Sequence, residues 1–500
     1  MENYRDKRNF IDSSSIRSSF PNFLDDSGQL AIDRNGFNVN QTIDYINRDW
    51  MNYIPDSLRI SELSIPGTHG SMALYGGVAG GLGDIAINQT MNLTAQLDSG
   101  IRYFDIRCRH YFNNFSIHHG QIYQHAYFGP DVLDHMINFL HENPSETILM
   151  RVKEEYNPAG NTRTFGQTFE SFWSPNQHVF WNPTSSNPTL GEVRGRIILL
   201  QNFSAYRSFG ISWGALNVQD EYEILGENRL YLKWEKVRNH FFHAMQNRNQ
   251  IHVNHLSGTG GFNLPRPWFV ASGFINRRND SLPKRAYGEY TSIFPAWPWR
   301  DNPRYITGTY PNPIFYGGTN VLSTRRIRDG RFTHTGIVAA DFPGEGLIAG
   351  TIALNFPGTL SGDFQIVTAL NNSSVLELHG PTNIQDRNVT PWSNNYGDHQ
   401  RWNFRYIPSK NAYIIESVSN PGLVLAWNVP NPDRKVFATP FVRALDEHYW
   451  ISEKFGHWYV FRNKKDPNMV LTAFSSSNGA NLYMSPNYGR SSQMFSIRFI

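Results

Sequence analysis

Apolar runs of strand length alternate with helical segments through the first part of the chain. The predicted strands are Leu58 to Ile65, Ile101 to Arg107, Ile148 to Lys153 and Arg196 to Gln201. The clearest helix is predicted over residues 131–142, with Asp131 as its cap and apolar residues at the spacing of one buried face. Strands that alternate with helices favour parallel strands joined by crossover connections. The pattern therefore predicts an α/β domain.

Two short motifs at predicted strand ends carry the residues of a possible catalytic site. One ends in His69, and the other contains Asp105 and Arg107 and is followed by the adjacent His118 and His119. Side chains two apart on a strand share a face, so Asp105 and Arg107 point the same way, whereas only one of the adjacent histidines can serve. Arginine can hold two phosphate oxygens, and imidazole suits proton transfer near neutral pH. Each motif alone could serve only the fold, as a hydrogen-bonded loop residue or a structural ion pair. Together the motifs predict phosphodiester chemistry.

The motifs from about residue 50 to about residue 342 resemble the catalytic X domain of bacterial phosphatidylinositol-specific phospholipase C. The matching segments, in order, are Ser64 to His69, Phe104 to Arg107, His118 to Gly120, Asn143 to Ile148, Lys153 to Tyr156, Gly195 to Leu200, Val218 to Tyr222 and Gly336 to Phe342. The resemblance implies a distorted (β/α) TIM-type barrel over residues 46–350. Barrel active sites lie at the C-terminal ends of the strands, where these polar residues are expected.

The resemblance also implies a role for each polar residue. His69 would be the general base that deprotonates the inositol 2-hydroxyl, and His119 the general acid for the diacylglycerol oxygen. Asp341 would orient His119. Arg107, oriented by Asp105, would neutralise the phosphate where calcium sits in the eukaryotic enzymes, so neither a metal nor another cofactor is expected. The products would be diacylglycerol and inositol 1,2-cyclic phosphate.

An inositol-binding set is implied in the same way, with two departures from the family pattern. Lys153, Asp220 and Tyr222 match residues that hold the ring and its hydroxyls. Asn202 stands in the substrate-binding position where family members commonly carry an arginine, and Gly70 stands where an aspartate supports the base. The first function predicted is cleavage of phosphatidylinositol or its glycosylated anchors. The two departures keep two alternatives open: a catalytically weakened barrel that acts as a carbohydrate- or membrane-binding toxin component, and a phosphodiesterase for another head group.

The last part of the chain, residues 364–500, contains a threefold repeat with a period of roughly 45 to 49 residues. Its copies end in Trp402, Trp450 and Phe495, and the Gln-x-Trp endings resemble a ricin-B-type β-trefoil. A linker is expected over residues 351–363. The predicted architecture is therefore an α/β barrel followed by an all-β trefoil.

Trefoils of this type bind sugars by stacking a ring on an aromatic side chain beside a carboxylate and amides. In this chain only the first copy keeps such a set, namely Glu377, Trp392, Asn394 and Gln400. A glycan is thus an expected partner, and a trefoil kept as scaffold or protein-binding surface is the alternative.

Composition limits the remaining partners. The net charge of +3, from 45 basic and 42 acidic residues, is too balanced to suggest nucleic acid. Apolar runs fall short of the roughly 20 residues that span a bilayer. Trp297 and Trp299 lie on a proline-rich segment suited to insertion into a lipid interface, with buried packing between domains as the alternative. The oligomeric state is not indicated.

The polar N-terminal segment, residues 1–45, is predicted to be a leader or arm without the apolar core of a secretory signal peptide. Because the presumed substrate lies in eukaryotic membranes, we expect a protein released from the producing cell by another route. It would act peripherally at target membranes, as a toxin or virulence factor.

Overall fold

The computed structural model describes residues 36–43, 45–76, 83–224, 230–260, 266–273, 318–328, 330–380, 386–427 and 435–499. The chain divides into two compact units. The first is Met1–Thr324 with Phe332–Asn355, and the second is Arg325–Arg331 with Phe356–Ile500. Trp297 and Trp299, the predicted lipid contacts, lie outside the described residues.

The described part of the first unit contains ten strands in one sheet. They are β1 (Ile65–Thr68), β2 (Tyr103–Tyr111), β3 (Asn114–His119), β4 (Ile122–Tyr127), β5 (Ile148–Glu154), β6 (Ile197–Asn202), β7 (Ile211–Ser212), β8 (Asn217–Gln219), β9 (His252–His255) and β10 (Ile337–Ala340). Eight of them are parallel neighbours in the order β7-β6-β5-β2-β1-β10-β9-β8. Strands β3 and β4 extend β2 as antiparallel neighbours.

Helices connect these strands. They are α1 (Leu93–Ser99), α2 (Asp134–Glu142), α3 (Phe165–Trp173), α4 (Leu190–Val193), α5 (Leu230–Gln246), α6 (Pro267–Ser272), α7 (Thr319–Arg328) and α8 (Glu345–Ala353). The arrangement is an α/β fold, a distorted (β/α) barrel whose sheet path runs from β7 to β8 within the described residues. The apolar residues of β5 are fully buried, as expected for parallel strands covered on both faces. They are Ile148, Leu149, Met150 and Val152.

Local structure differs from the sequence prediction at two elements. The helix predicted from Asp131 begins instead with a π-helical turn, Phe128–Leu133, before α2. The Asp131 carboxylate still accepts the backbone N–H of Tyr127 at 2.8 Å, but it does so from inside the turn and not as a cap. The strand predicted from Leu58 is also wrong, because residues 60–62 form a 3₁₀ turn and the extended segment begins only at Ile65.

The predicted N-terminal arm is partly built into the first unit. Phe37 is fully buried and pairs with Pro343 in an antiparallel bridge. The N–H of Asn38 donates to the carbonyl of Phe342 at 3.1 Å. Residues 36–43 therefore do not belong to a separate leader, contrary to the predicted boundary at residue 45.

A buried ion pair ties the base of β2 to the start of β5. Arg102 Nε donates to Glu146 Oε2 at 2.8 Å, and both side chains are 0% exposed. The other arginine nitrogens donate to the carbonyls of Leu97, Ile101 and Arg48. Because each nitrogen of the guanidinium has an acceptor, the cost of burying the charge is offset locally.

Apart from the end of α7 and short 3₁₀ turns, the described part of the second unit consists of antiparallel strands. Its strands are β11 (Gly362–Thr368), β12 (Val375–His379), β13 (Arg387–Trp392), β14 (Trp402–Ile407), β15 (Ala412–Ser417), β16 (Leu423–Trp427), β17 (Val436–Pro440), β18 (Trp450–Phe455), β19 (Trp458–Asn463), β20 (Met469–Ala473), β21 (Leu482–Pro486) and β22 (Phe495–Phe499). Residues 351–353, placed in a linker by the sequence prediction, are instead the end of α8, so the helix continues further than expected.

The repeat of the second unit is visible in its hydrogen bonds. The indole N–H of Trp402 donates to the carbonyl of Leu376 at 2.9 Å, and that of Trp450 donates to Leu425 at 2.7 Å. Phe495 occupies the corresponding place in the third copy and is fully buried, but its ring has no N–H to donate. These rings form part of a single apolar core for the unit.

Candidate active site

The site lies where β1 and β10 end, beside the early residues of β2, which continues beyond them. Thr68 of β1 is in register with Ala340 of β10 on one side and with Phe104 of β2 on the other. His69 and Asp341 each follow one of these paired residues in the chain, as Asp105 follows Phe104. The backbone N–H of His69 donates to the carbonyl of Ala340 at 3.0 Å. Strand register therefore brings together three residues that are distant in sequence.

His69 is held at both ring nitrogens. Its Nδ1 lies 2.8 Å from Asp341 Oδ1, and its Nε2 lies 2.6 Å from Arg107 Nη2. A guanidinium can only donate, so Nε2 is the acceptor and the neutral ring carries its proton on Nδ1, facing the carboxyl group. This tautomer leaves Nε2 as the basic atom of the site.

Burial governs the protonation of this pair. It holds the pKa of His69 well below its usual range, and the Arg107 guanidinium lowers that pKa further. Burial raises the pKa of Asp341 well above its usual range, with Arg107 and Lys233 opposing the shift. Burial therefore disfavours a charge on either group alone, so that ionised Asp341 and protonated His69 are stabilised only as a pair.

The assignment of Asp341 to His119 is wrong. The carboxyl group contacts the ring of His69, because β10 is the direct neighbour of β1 in the sheet. Support for His69 therefore does not depend on the residue at position 70. The sequence prediction placed the carboxylate correctly at the end of the last strand, but it paired the carboxylate with the other histidine.

Asp105 fixes Arg107 as the sequence predicted. Its Oδ2 accepts Nε and Nη2 of Arg107 at 3.1 and 3.0 Å and the backbone N–H of Gly70 at 3.1 Å. Burial alone would raise the pKa of Asp105, but Arg107 and Arg151 outweigh it and hold that pKa well below its usual range. For the same reason the pKa of Arg107 is raised despite burial. Both groups are ionised at neutral pH.

His119, at the end of β3, faces the same site. Burial and the charge of Arg107 lower the pKa of His119 to about 4, while Glu155 opposes the shift. The neighbouring His118 is buried on the opposite face and stacks on Tyr156 with ring centroids 6.2 Å apart.

The predicted inositol-binding residues have different surroundings. Lys153 has a 38% exposed side chain, with Nζ 3.6 Å from Glu155 Oε2. Asp220 follows β8 and is exposed, and Tyr222 is 61% exposed. Asn202 is engaged inside the protein, since its Oδ1 accepts Nε and Nη2 of Arg151 at 3.0 and 2.7 Å. Its contact with substrate stays a prediction.

Arg151 was missed by the sequence prediction. Its Nη1 lies 3.4 Å from Asp105 Oδ1, and its guanidinium stacks over the Trp213 ring at 4.0 Å. The sequence could have indicated Arg151 as a site residue, because Arg151 and Lys153 lie two apart on β5, just as Asp105 and Arg107 do on β2. The register pairs these residues directly, Asp105 with Arg151 and Arg107 with Lys153.

Two further buried groups were missed. His255, at the end of β9, packs edge-to-face on His69 with centroids 5.6 Å apart, and neither of its ring nitrogens has a hydrogen-bond partner among the described residues. Burial lowers the pKa of Lys233 on α5 to about 7, with Asp220 and Asp341 opposing the shift. Buried polar atoms without partners are rare, and near a reactive site they indicate a role in binding or catalysis.

In the second unit, three of the four predicted sugar-binding side chains, Glu377, Asn394 and Gln400, make hydrogen bonds within the protein. Gln400 is fully buried, and its amide accepts the N–H of Asn395 and donates to Glu377 and to the carbonyl of Ser393. Asn394 exchanges two hydrogen bonds with Gln365. These hydrogen bonds hold Gln400 and Asn394 in place within the fold, and the contact of these two side chains with a sugar stays a prediction.

Trp392 completes the predicted sugar-binding set, and Glu377 accepts the Gln400 amide on Oε2 only. Trp392 is half-buried and stacks on His379 with centroids 5.0 Å apart. One carboxylate oxygen of Glu377 lies 3.6 Å from His379 Nδ1. Glycan contact by Trp392 and Glu377 stays a prediction.

Two searches of the described residues complete the description of the site. Among these residues no group of three or more histidine, cysteine or acidic side chains is arranged to hold a metal ion. No helix in the same part of the chain combines the length and apolar character needed to cross a membrane.

The chain is similar to known proteins of one family. The family model for the phosphatidylinositol-specific phospholipase C X domain matches residues 85–202. A 1-phosphatidylinositol phosphodiesterase of Listeria monocytogenes is 33% identical over 256 residues, which cover 49% of this chain and 78% of that protein. The solved structure of phosphatidylinositol-specific phospholipase C from Listeria monocytogenes has a TM-score of 0.45 at 27% identity, over 62% of this chain and 98% of that one.

A second, shorter match is to a protein named as a hemagglutinin component. The main hemagglutinin component type C of Clostridium botulinum C phage is 29% identical over 110 residues, which cover 22% of this chain and 36% of that protein.

The fold and site together define a class, the α/β-barrel proteins with an acid–base site at the C-terminal ends of their strands. Within that class the match to the Listeria monocytogenes protein covers most of the relative's length. The chain belongs to the phosphatidylinositol-specific phospholipase C family.

Proposed function

We propose that the first unit cleaves phosphatidylinositol, free or within glycosylated anchors, by an internal phosphoryl transfer without a metal ion. The observation that carries the proposal is the arrangement around His69, whose Nδ1 contacts Asp341 at 2.8 Å and whose Nε2 contacts Arg107 at 2.6 Å. A base, a fixed guanidinium and a second histidine are the groups that such a transfer needs.

In the first step His69 acts as the general base. An entering phosphate competes for Nη2 of Arg107 and so uncovers Nε2 of the imidazole. Nε2 then takes the proton of the inositol 2-hydroxyl while the hydroxyl oxygen attacks phosphorus. Asp341 keeps the ring in the required tautomer and stabilises the imidazolium that forms, as a carboxylate does in other acid–base sites.

Arg107 stabilises the charge on phosphorus. Asp105 accepts two of its hydrogen bonds and holds the guanidinium plane in place, while its Nη1 lies 3.8 Å from Glu155. A cation fixed in this way needs little reorganisation during the reaction and acts in a largely buried site, where electrostatic interactions are stronger than in water.

His119 completes the transfer as the general acid. The bond between phosphorus and the diacylglycerol oxygen breaks, and the imidazolium gives its proton to that oxygen. Its pKa of about 4 in the free site reflects burial and the positive charge of Arg107. A bound phosphate diester brings a negative charge that offsets Arg107 and favours protonation of His119.

The test uses vesicles that contain phosphatidylinositol and, separately, vesicles of phosphatidylcholine, both in excess chelator. We expect diacylglycerol release from the first only, and its loss in His119→Ala. His118→Ala is the matched control, because His118 stacks on Tyr156 away from the site and should keep activity. Binding to phosphatidylinositol vesicles without release of diacylglycerol would instead support a weakened barrel that binds lipid.

The head group is part of the same proposal. Lys153, Asp220 and Tyr222 retain exposed polar surface that a ring polyol can reach. We expect Asp220→Asn to raise KM for phosphatidylinositol more than it lowers kcat. Faster cleavage of a glycerophosphodiester than of phosphatidylinositol would favour the alternative of another head group.

For the second unit we propose a β-trefoil that binds carbohydrate and brings the enzyme to its target. Support comes from the repeated tryptophan contacts and from the similarity to a protein named as a hemagglutinin. Retention of the full chain on immobilised glycans, and its loss in Trp392→Ala, is the expected result. Equal retention of the two proteins would contradict a role for Trp392.

A further inference from the structure

Gly70 supplies no carboxylate at the position where the resemblance to the family places one, and its backbone disfavours a side chain. Gly70 has a φ of +48°, a conformation that side-chain-bearing residues rarely adopt. A Cβ atom at this position would lie 2.8 Å from Asn88 Oδ1. The backbone N–H of Gly70 is also committed to Asp105. In family members with an aspartate at this position, the loop supplies a negative charge. In this chain such a charge must come from another residue.

Two of the carboxyl groups in the site already have partners. Asp341 contacts His69 at 2.8 Å. Asp105 accepts Arg107 and Gly70 on Oδ2 and lies 3.4 Å from Arg151 on Oδ1. Neither carboxyl group is therefore placed to be the main negative charge beside His119.

Glu155 is the remaining candidate. It follows β5, and its backbone N–H donates to the carbonyl of Cys108 at 2.8 Å, which extends the pairing with β2. Its Oε1 accepts the N–H of Gly120 at 2.8 Å, so the carboxylate is bonded to the residue directly after His119. The side chain is 12% exposed. Glu155 therefore holds the turn that presents His119 to the site.

The same carboxylate lies among the cations of the site. Its Oε1 is 3.8 Å from Arg107 Nη1, and its Oε2 is 3.6 Å from Lys153 Nζ. The charged and titratable groups that face His119 are Arg107 and Asp105 from β2, Glu155 from the segment after β5, and His69 from the segment after β1. Among them Glu155 is the strongest influence that favours protonated His119.

We propose that Glu155 is the positioning residue of the general acid: it anchors the His119 turn through Gly120 and places a negative charge beside the imidazole. The inference rests on the proposed function of the first unit. During the reaction the proton passes from the His119 ring to the diacylglycerol oxygen as the phosphorus–oxygen bond breaks. Glu155 keeps its charge throughout and accepts no proton. Its effect is to raise the share of His119 that is protonated when the leaving group departs.

The experiment compares Glu155→Gln with Glu154→Gln, its exposed neighbour at the end of β5. Two substrates are used: phosphatidylinositol, whose alkoxide leaving group needs a proton, and an inositol 4-nitrophenyl phosphodiester, whose leaving group does not. We expect Glu155→Gln to lower kcat on phosphatidylinositol about tenfold or more and to change kcat on the aryl substrate less than about threefold. Glu154→Gln should leave both unchanged.

Equal losses on the two substrates would overturn the inference, because they would place Glu155 in substrate binding or in the alignment of Arg107. No loss on phosphatidylinositol would overturn it as well. A second readout does not depend on turnover: in protein with ¹³C-labelled histidine, the His119 pKa should be lower in Glu155→Gln than in Glu154→Gln. If that pKa falls while the unaltered protein cleaves neither substrate, the Glu155–His119 coupling stands and the proposed function fails.

Discussion

Replacing Asp341 by asparagine tests the contact between the last strand and His69. Asparagine keeps the shape of the side chain and an oxygen for the Nδ1 proton, but it removes the charge that would stabilise the imidazolium. A hydrogen bond to a charged group contributes about 1.5–3 kcal/mol, and about 1.36 kcal/mol corresponds to a tenfold change in rate. The 2.8 Å contact therefore predicts that kcat falls about 10- to 150-fold in Asp341→Asn.

The assay uses phosphatidylinositol and the aryl phosphodiester of inositol side by side. Because both substrates need the 2-hydroxyl deprotonated, Asp341→Asn should lose activity equally on both, in contrast to Glu155→Gln. A loss confined to phosphatidylinositol would show that Asp341 serves the general acid, and an unchanged kcat would refute its role altogether.

Stability provides an internal check on the same variant. Burial raises the pKa of Asp341 in the folded protein above its value in the unfolded chain. A carboxyl group of this kind opposes folding increasingly as the pH rises above the unfolded pKa, since only the unfolded chain accommodates the charge at low cost. The free energy of unfolding of Asp341→Asn at pH 7 should therefore be no lower than that of the unaltered protein, as measured by urea denaturation.

Three further predictions concern the surroundings of the site. Gly70→Asp should lose activity and about 1–2 kcal/mol of stability, because the left-handed backbone and Asn88 oppose a side chain, and a faster enzyme would show that the turn relaxes freely. Arg102→Met should cost about 3–5 kcal/mol in urea denaturation by leaving Glu146 buried without its partner, and a loss below about 1 kcal/mol would contradict this. Because burial holds the pKa of His69 well below its usual range, kcat/KM should persist below pH 6 until His69 is protonated, and an acid limb at the ordinary histidine pKa would contradict the burial argument.

Much of the barrel follows from local pattern. The runs predicted from Ile101, Ile148 and Arg196 correspond to β2, β5 and β6, because long apolar segments bounded by turns are buried parallel strands. The prediction for Leu58 to Ile65 failed because short apolar runs are ambiguous: in the structure residues 60–62 form a 3₁₀ turn, and only Ile65 lies in β1.

The site was predictable where alternation along one strand decides it, as for Asp105 and Arg107. The partner of Asp341 was not, because His69 lies 272 residues away and the contact depends on which strands are neighbours in the sheet. Asn202 shows the same limit. Its amide oxygen is bound by Arg151 from the adjacent strand, and neither residue alone reveals that exchange.

Sequence repeats predicted the second unit in outline, but they did not indicate what the individual side chains contact. Gln400 and Gln493 were read as parts of a recurring motif, and in the structure each is buried and accepts a backbone N–H within its own copy. A polar residue that recurs in each copy can serve the fold as readily as it can bind a ligand. Its hydrogen-bond partners in the structure are needed to distinguish these two roles.

The most direct test of the account is phosphorus NMR of the full chain with phosphatidylinositol in detergent micelles and excess chelator. Internal attack by the 2-hydroxyl predicts that the first phosphorus product is inositol 1,2-cyclic phosphate, formed without a lag and absent in His69→Ala. Direct appearance of the acyclic inositol phosphate, or turnover that survives in His69→Ala, would contradict the mechanism built around this histidine.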